Sequence, residues 1–477
     1  MWNQVFAGVV GAPAQSYPDP PYTTLATTPA SREKPYLYVD GNGRYNVFVP
    51  RAQRNSHGTT WQNGQTAGRS IPIRDFYLAT PADSVSTLNS QLARGKNLTF
   101  TPGGYDIDRT IRITRADTVV LGLGIATLTA KRGAVAMAVS DVDGVDIAGL
   151  MFDAGSVNSP VLLQVGTGRD GEASHRRCDS TSPIGIQDAF FRIGGPHAGK
   201  ATVSLEGNSD DVILDDIWAW RADHGTGVGW TVNTAATGLV VNGDDVTTTG
   251  LFVEHYQKYD VVRTGARGKT IMFQNEMPCD APNQAAWNHN GVNGYAAYKV
   301  AGWVRTHEGW GLASYIYTNV DPTLHSANGF EVPTATGVRM HDVLTVSLNG
   351  AGTIDHVING LGDAVTPTHQ GPAYVVSYPY PRPQTVPAAP ASTAPWPSPS
   401  PSPSPSPSPE DSQHAEWAGA SPSGPLARPL TARPPTARPH RTPADRTPTH
   451  RTSPRTLASQ WRHTPYRGMQ NDGRRGL

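Results

Sequence analysis

From Ser70 to about Asn359 one kind of phrase recurs: a short run of β-branched and aliphatic residues, closed by Gly, Asn or Asp, and then another run. "DTVVLGLGIATLTA" (117–130), "VDGVDIAGLMFDAG" (142–155), "SDDVILDDIWAW" (209–220) and "TGVRMHDVLTVSLNGAGTIDHVING" (336–360) all follow it. Short apolar runs between turn formers read as strands, not helices. Successive phrases begin at intervals of roughly 22 to 32 residues, with larger insertions between some, which is the spacing of a solenoid whose coils each supply a few short parallel strands. Val, Ile, Leu and Ala then stack inside, while Gly, Asn and Asp take left-handed corners. The predicted fold is all-β, a right-handed parallel β-helix of the pectate-lyase-like kind. A β-sandwich is the alternative, but it needs tighter hairpins at more even spacing. "SVSTLNSQLARG" (84–95) is the one good helix candidate, with Ser84 as its cap. It precedes a first coil, "NLTFTPGGYDIDRTIRIT" (97–114), and is placed to cover the open end.

Around that body, residues 1–69 read as a connector or the remnant of a preceding domain, and 70–380 as a β-helix of catalytic type. Residues 381–410, with "PSPSPSPSPSPSPE", read as a Pro/Ser-rich linker, and 411–477 as a disordered basic tail. The formal net charge is zero, and the Arg-rich tail leaves the body mildly acidic, so no nucleic-acid partner is expected. Two cysteines, Cys178 and Cys279, are able to pair but too few for a disulfide framework. No apolar run reaches membrane-spanning length, so a soluble chain with no membrane partner is expected. A monomer is expected as well. The opening "MWNQVFAGVVGAPAQ" lacks the basic start and apolar centre of a secretory signal.

Two glutamates stand out. Glu254 lies in "GLFVEHYQKYD" (250–260) and Glu276 in "TIMFQNEMP" (270–278). Strand alternation puts Leu251 and Val253 on one face, and Phe252, Glu254 and Tyr256 on the other. Likewise Ile271 and Phe273 oppose Met272, Gln274 and Glu276. The two acids are about one coil apart, so stacked coils bring them within about 4.8 Å along the axis. Like charges that close cannot both ionise cheaply, so one carboxyl keeps its proton. A protonated acid beside an ionised one is equipment for glycosidic cleavage. Trp218, Trp220, Trp230, Tyr256 and Trp287 are flat faces suited to sugar stacking, and Gln274, His255, Asp223 and His224 are candidate polar contacts. On spacing alone, a plain solvated surface is the commoner explanation for glutamates on the outside of a β-helix.

"VEHYQKY" followed by "FQNEMPCDAPNQ" resembles the paired motifs of glycoside hydrolase family 55, in which a V-E-H segment precedes a Q-T-E-T-P-Y-Y segment by about one coil. "WAWRADHGTGVGWTVNTAATGLVVNGDDV" (218–246), "GYAAYKV", "THEGWGLASYIY" and "GTIDHVING" are similar to its actinobacterial members, over most of residues 1–360. The resemblance implies an extracellular, inverting, exo-β-1,3-glucanase-like enzyme acting on a polysaccharide with no cofactor and no metal. It implies that Glu276 is the proton-donating acid and that Glu254 helps to activate water. Asn275, Met277 and Cys279 replace Thr, Thr and Tyr of the family pattern, which implies altered sugar subsites. Family members pair two tandem β-helices; here one is evident, so the chain reads as the second half of such an enzyme.

Rival readings stay open. A non-catalytic carbohydrate-binding β-helix needs no partner wall. "DHG" (223–225) and "GDD" (243–245) resemble pieces of polygalacturonase sites, but in reversed order and without that family's Arg-x-Lys element. Asp215, Asp216, Asp244 and Asp245 could ligate calcium as in a pectate lyase, although turn aspartates more often cap backbone amides.

Overall fold

The computed structural model describes residues 2–61, 64, 66–167 and 180–379, within one compact unit, Met1–Ala388. The readings of 381–410 and 411–477 and Cys178 fall outside the described residues. Two sheets run the length of the body. One holds 12 strands and the other 8, and nearly all neighbours are parallel. Their order is that of a coil climbing one rung at a time, as in a right-handed parallel β-helix. A rung spans 22 residues between Thr248 and Thr270, and 39 between Asn275 and Ser314.

Six successive long strands are each bent at one left-handed residue, and these residues stack into a column. Asp188, Asp216, Gly250, Met272, Gly311 and Asp342 all have φ between 46° and 66° and sit opposite one another. Gly and Asp tolerate that conformation and Met does not readily, so Met272 is the strained member. The bend gives each coil three faces around a largely apolar core. Phe152 stacks on Phe191 at 5.1 Å, and Phe273 meets Tyr298 and Phe330 edge-on. Each such ring, fully buried, contributes roughly 2–3 kcal/mol.

Both ends of the stack are closed. Helix Val85–Ala93 covers the first coil with Val85, Leu88 and Leu92, and its Ser84 cap accepts from the Thr87 amide. At the other end strand Ala373–Tyr378 pairs antiparallel with Gly337–Ser347 and so terminates the parallel ladder.

The described residues of the segment 1–69, read as a connector, pack along the outer wall. Strands Tyr36–Val39, Tyr45–Pro50 and Gly68–Pro72 form an antiparallel sheet whose Val47, Val49 and Ile71 bury against Val119 and Leu121. Arg32 passes beneath it to a fully buried Asp146 at 2.9 Å. Strand Gln4–Ala7 crosses the column at Gly311, where a Cβ would lie 2.4 Å from Val5 Cγ2. The absence of a side chain there is what lets the segment lie flat.

Candidate active site

The site forms where strands Val212–Arg221, Thr247–Glu254 and Gly268–Glu276 lie side by side. Trp220 is opposite Glu254, Phe252 is opposite Gln274, and Glu276 is opposite Tyr315. The His255 amide donates to the Glu276 carbonyl at 2.7 Å. Trp220, Glu254, Glu276 and Tyr315 thus make one row on the outer wall, at a rung spacing of about 4.8 Å. Leu251, Val253 and Phe273 on the same strands are buried in the core.

The two carboxyls lean on different partners. Glu254 Oε2 accepts from Trp218 Nε1 at 2.9 Å. Glu276 Oε2 lies 3.8 Å from His255 Nε2, and Asp223 Oδ2 lies 4.0 Å from the same nitrogen. His255 Nδ1 is 3.2 Å from the Met277 carbonyl, which can only accept, so Nδ1 carries a proton and Nε2 faces the two acids. Asp223 Oδ1 is bonded to His224 Nδ1 at 2.8 Å.

Burial pushes the Glu254 carboxyl above the usual carboxylate range; the Trp218 bond and His255 oppose this, and the charges of Glu276 and Asp223 add to it. Crowding between the two glutamates is therefore real but secondary to desolvation. For Asp223 burial acts upward too, yet His255 and the His224 bond outweigh it and hold the carboxyl below its ordinary value.

Beyond Glu276 opens a cavity of about 410 Å³, lined by Trp2, Phe252, Met272, Gln274, Glu276 and Tyr315 among others. Trp2 packs on Tyr315 at 5.7 Å. Toward the earlier rungs Trp218 and Trp220 stack at 5.7 Å and 24°, with Trp218 40% exposed, and His224 tilts over Trp220. The acids sit between an apolar cavity and an indole shelf. Aromatic planes on both sides of paired acids can hold the apolar faces of sugar rings.

Several expectations are corrected. Tyr256 is fully buried, not on the outer face: His255 adopts φ 67°, which ends the alternation and turns Tyr256 inward to Ser204 Oγ at 2.6 Å. Trp287 is likewise in the core. Trp230 is half-buried over the Arg221 guanidinium at 5.6 Å. Asn275, Met277 and Cys279 all point inside, so they repack the wall beneath the site and do not face a sugar. Burial pushes the Cys279 thiol up to about 12, with Asp280 and Asp223 adding to it. Asp244 and Asp245 bind Arg267, and Asp244 also caps the Ala266 amide. Asp215 lies apart from them, its carboxyl pushed up to about 6 by burial first and then by Asp216. Among the described residues no group of His, Cys, Asp and Glu gathers as a metal cage, and no helix is long and apolar enough to cross a membrane.

Sequence reasoning missed Trp2 and Tyr315, whose positions depend on distant segments, and the buried pair of Arg221 and Asp280. The "WAWR" and "EMPCD" phrases gave no periodic signal that would have joined them.

Residues 76–276 match the LAM55 pectate lyase-like domain. An exo-β-1,3-glucanase from Streptomyces sp. (strain SirexAA-E / ActE) is 52% identical over 379 residues, covering 80% of this chain and 62% of that protein. The chain thus spans a little under two thirds of that curated relative. The structure of sacteLam55A from Streptomyces sp. SirexAA-E superposes with a TM-score of 0.77 at 52% identity, over 79% of this chain and 68% of the other. A glutamate-to-alanine variant of sacteLam55A in complex with glucose superposes with a TM-score of 0.76.

Proposed function

The chain belongs to glycoside hydrolase family 55, the family of the LAM55 pectate lyase-like domain, and from that premise we propose that it hydrolyses β-1,3-glucan with Glu276 and Glu254 as its working carboxyls. The observation that carries this reading is their adjacency on one outer row between the Trp218–Trp220 shelf and the cavity beside Tyr315.

In the proposed reaction water adds to the anomeric carbon as the bond from that carbon to the glycosidic oxygen breaks. Glu276 gives its proton to the departing oxygen. The proton lost by the water passes toward Glu254, and direct attack inverts the anomeric centre. A raised carboxyl is a stronger base once ionised, which suits Glu254 to that half of the work. His255 lies between Glu276 and Asp223, with its Nε2 3.8 Å from the first carboxylate and 4.0 Å from the second. The cavity that Trp2 and Tyr315 line beside Glu276 is the proposed seat for the end of a glucan chain, a reading in keeping with the exo action in the relative's name. We propose an extracellular site of action, a reading supported by a polymeric substrate too large to cross a membrane.

The test is release of reducing sugar from laminarin by the purified chain, with Glu276→Gln as control. Glu276→Gln should lose laminarin cleavage yet keep much of its rate on a glucoside whose leaving group needs no proton. Glu254→Gln should lose both. Laminarin binding without release would make the chain a carbohydrate-binding β-helix, and an unsaturated, ultraviolet-absorbing product from a uronate polymer would make it a lyase.

A further inference from the structure

Arg221 is the last residue of strand Val212–Arg221, one position beyond the Trp220 that faces Glu254, and it is fully buried. A buried guanidinium needs all of its donors used and its charge matched. Here its Nη1 and Nη2 donate to the two oxygens of Asp280 at 2.8 and 2.7 Å. Nη1 also donates to the His255 carbonyl at 3.1 Å, and Nε to the Asn233 carbonyl at 2.8 Å. Nη2 completes the set on the Gly229 carbonyl at 3.3 Å. Asn233 closes the far side by donating to the Ile193 and Ala222 carbonyls.

The partners matter because of where they lie in the chain. His255 directly follows Glu254, and Asp280 lies four residues after Glu276. One rigid, planar cation therefore grips the backbone at the end of one acid's strand and the loop that leaves the other's. Rung hydrogen bonds fix the spacing of the strands as far as the His255 amide on the Glu276 carbonyl at 2.7 Å, and both acids sit at these strand ends. Past that bond the Arg221–Asp280 pair adds a second tie, from the His255 carbonyl to the chain that leaves Glu276.

We propose that the Arg221–Asp280 pair is a positioning device that sets the relation between the Glu254 and Glu276 carboxyls. This rests on the reading of those two residues as the working acids. Lys in place of Arg keeps the charge but lacks the fork that spans Asp280, His255 and Asn233. Asn in place of Asp keeps the shape but leaves the guanidinium without its counter-charge. Glu keeps the charge on a longer arm.

The experiment uses the full chain and the variants Arg221→Lys, Asp280→Asn and Asp280→Glu, each checked for cooperative thermal unfolding. Two readouts are taken. The first is the titration of the Glu254 carboxyl followed by carbon NMR on glutamate-labelled protein, which needs no turnover. The second is laminarin hydrolysis. In every cooperatively folded variant the Glu254 midpoint should move. In Arg221→Lys and Asp280→Asn, kcat should fall by about 100-fold, the scale of a 1 Å misplacement, with KM changed less than about threefold. Asp280→Glu should recover part of kcat. An unmoved Glu254 titration together with unchanged kcat in a folded variant would overturn the proposal. If the wild-type chain cleaves no laminarin while the Glu254 midpoint still moves in the variants, the hydrolase reading falls and the positioning role stands.

Discussion

The backbone joins Glu254 and Glu276 more tightly than their side chains do: the amide just after Glu254 donates to the carbonyl of Glu276 at 2.7 Å, yet one carboxyl is bonded to Trp218 and the other faces His255. Adjacent rungs thus give two acids in different environments. That difference, more than their mutual repulsion, separates their roles.

A pH profile should report it. Burial raises the Glu254 carboxyl and the Trp218 indole N–H opposes the rise by bonding the charged form. If ionised Glu254 is the base, activity is lost on the acid side as pH falls through its raised pKa. Trp218→Phe keeps a ring but removes the donor, so that limb of kcat should move to higher pH. An unmoved limb in a folded Trp218→Phe protein would take Glu254 out of the pH dependence.

How much of this was legible follows from what each feature depends on. Ser84 and the run after it carry a local signal, and the helix is there with its cap. The coil spacing carries the stacking of Glu254 on Glu276, because rung height depends only on the backbone. Alternation fails at Tyr256, because a single left-handed residue, His255, shifts the phase without leaving a Gly to mark it. The wall made by Trp2 and Val5 was hidden for a different reason. Those residues reach the site across about 300 residues of chain, by packing against Gly311 and Tyr315, and no periodicity encodes a long-range contact.

Stability should carry a signature of Asp146. Burial first pushes its carboxyl up to about 7, with Arg32 pulling the other way at 2.9 Å. The unfolded chain releases that proton near pH 4. Between about pH 4 and 7 the folded state binds the extra proton, so its stability falls as pH rises through that window. The contribution is at most about 4 kcal/mol. Thermal unfolding of the wild type should lose a few degrees between pH 5 and 7, and Asp146→Asn should remove that slope. Equal slopes in the two proteins would show that Asp146 is not the responsible group.

Asn275 tests the wall beneath the acids. It is buried, donates to the Val253 carbonyl at 3.0 Å and accepts from Ser314 Oγ at 2.8 Å, linking three rungs. Asn275→Ala strands both partners and should cost about 1–3 kcal/mol in chemical denaturation. Restoring a hydroxyl with Asn275→Thr should recover only part of this, since it cannot reach both partners.

Gly311 tests the N-terminal strap. At φ 66° a side chain is strained, and an added Cβ would strike Val5 Cγ2 at 2.4 Å. The strain alone costs about 1–2 kcal/mol, and the clash must be relieved by lifting strand Gln4–Ala7 off the wall. Lifting it removes Trp2 and Val5 from the cavity that Glu276 lines. Gly311→Ala should therefore expose Trp2, seen as a red-shifted and more quenchable tryptophan emission, and raise KM for laminarin more than it lowers kcat. The double variant Gly311→Ala with Val5→Ala removes the struck methyl and should return both readings toward wild type. If the single variant leaves emission and KM unchanged, the strap does not shape the cavity, and the seat proposed for the end of the glucan chain loses a wall.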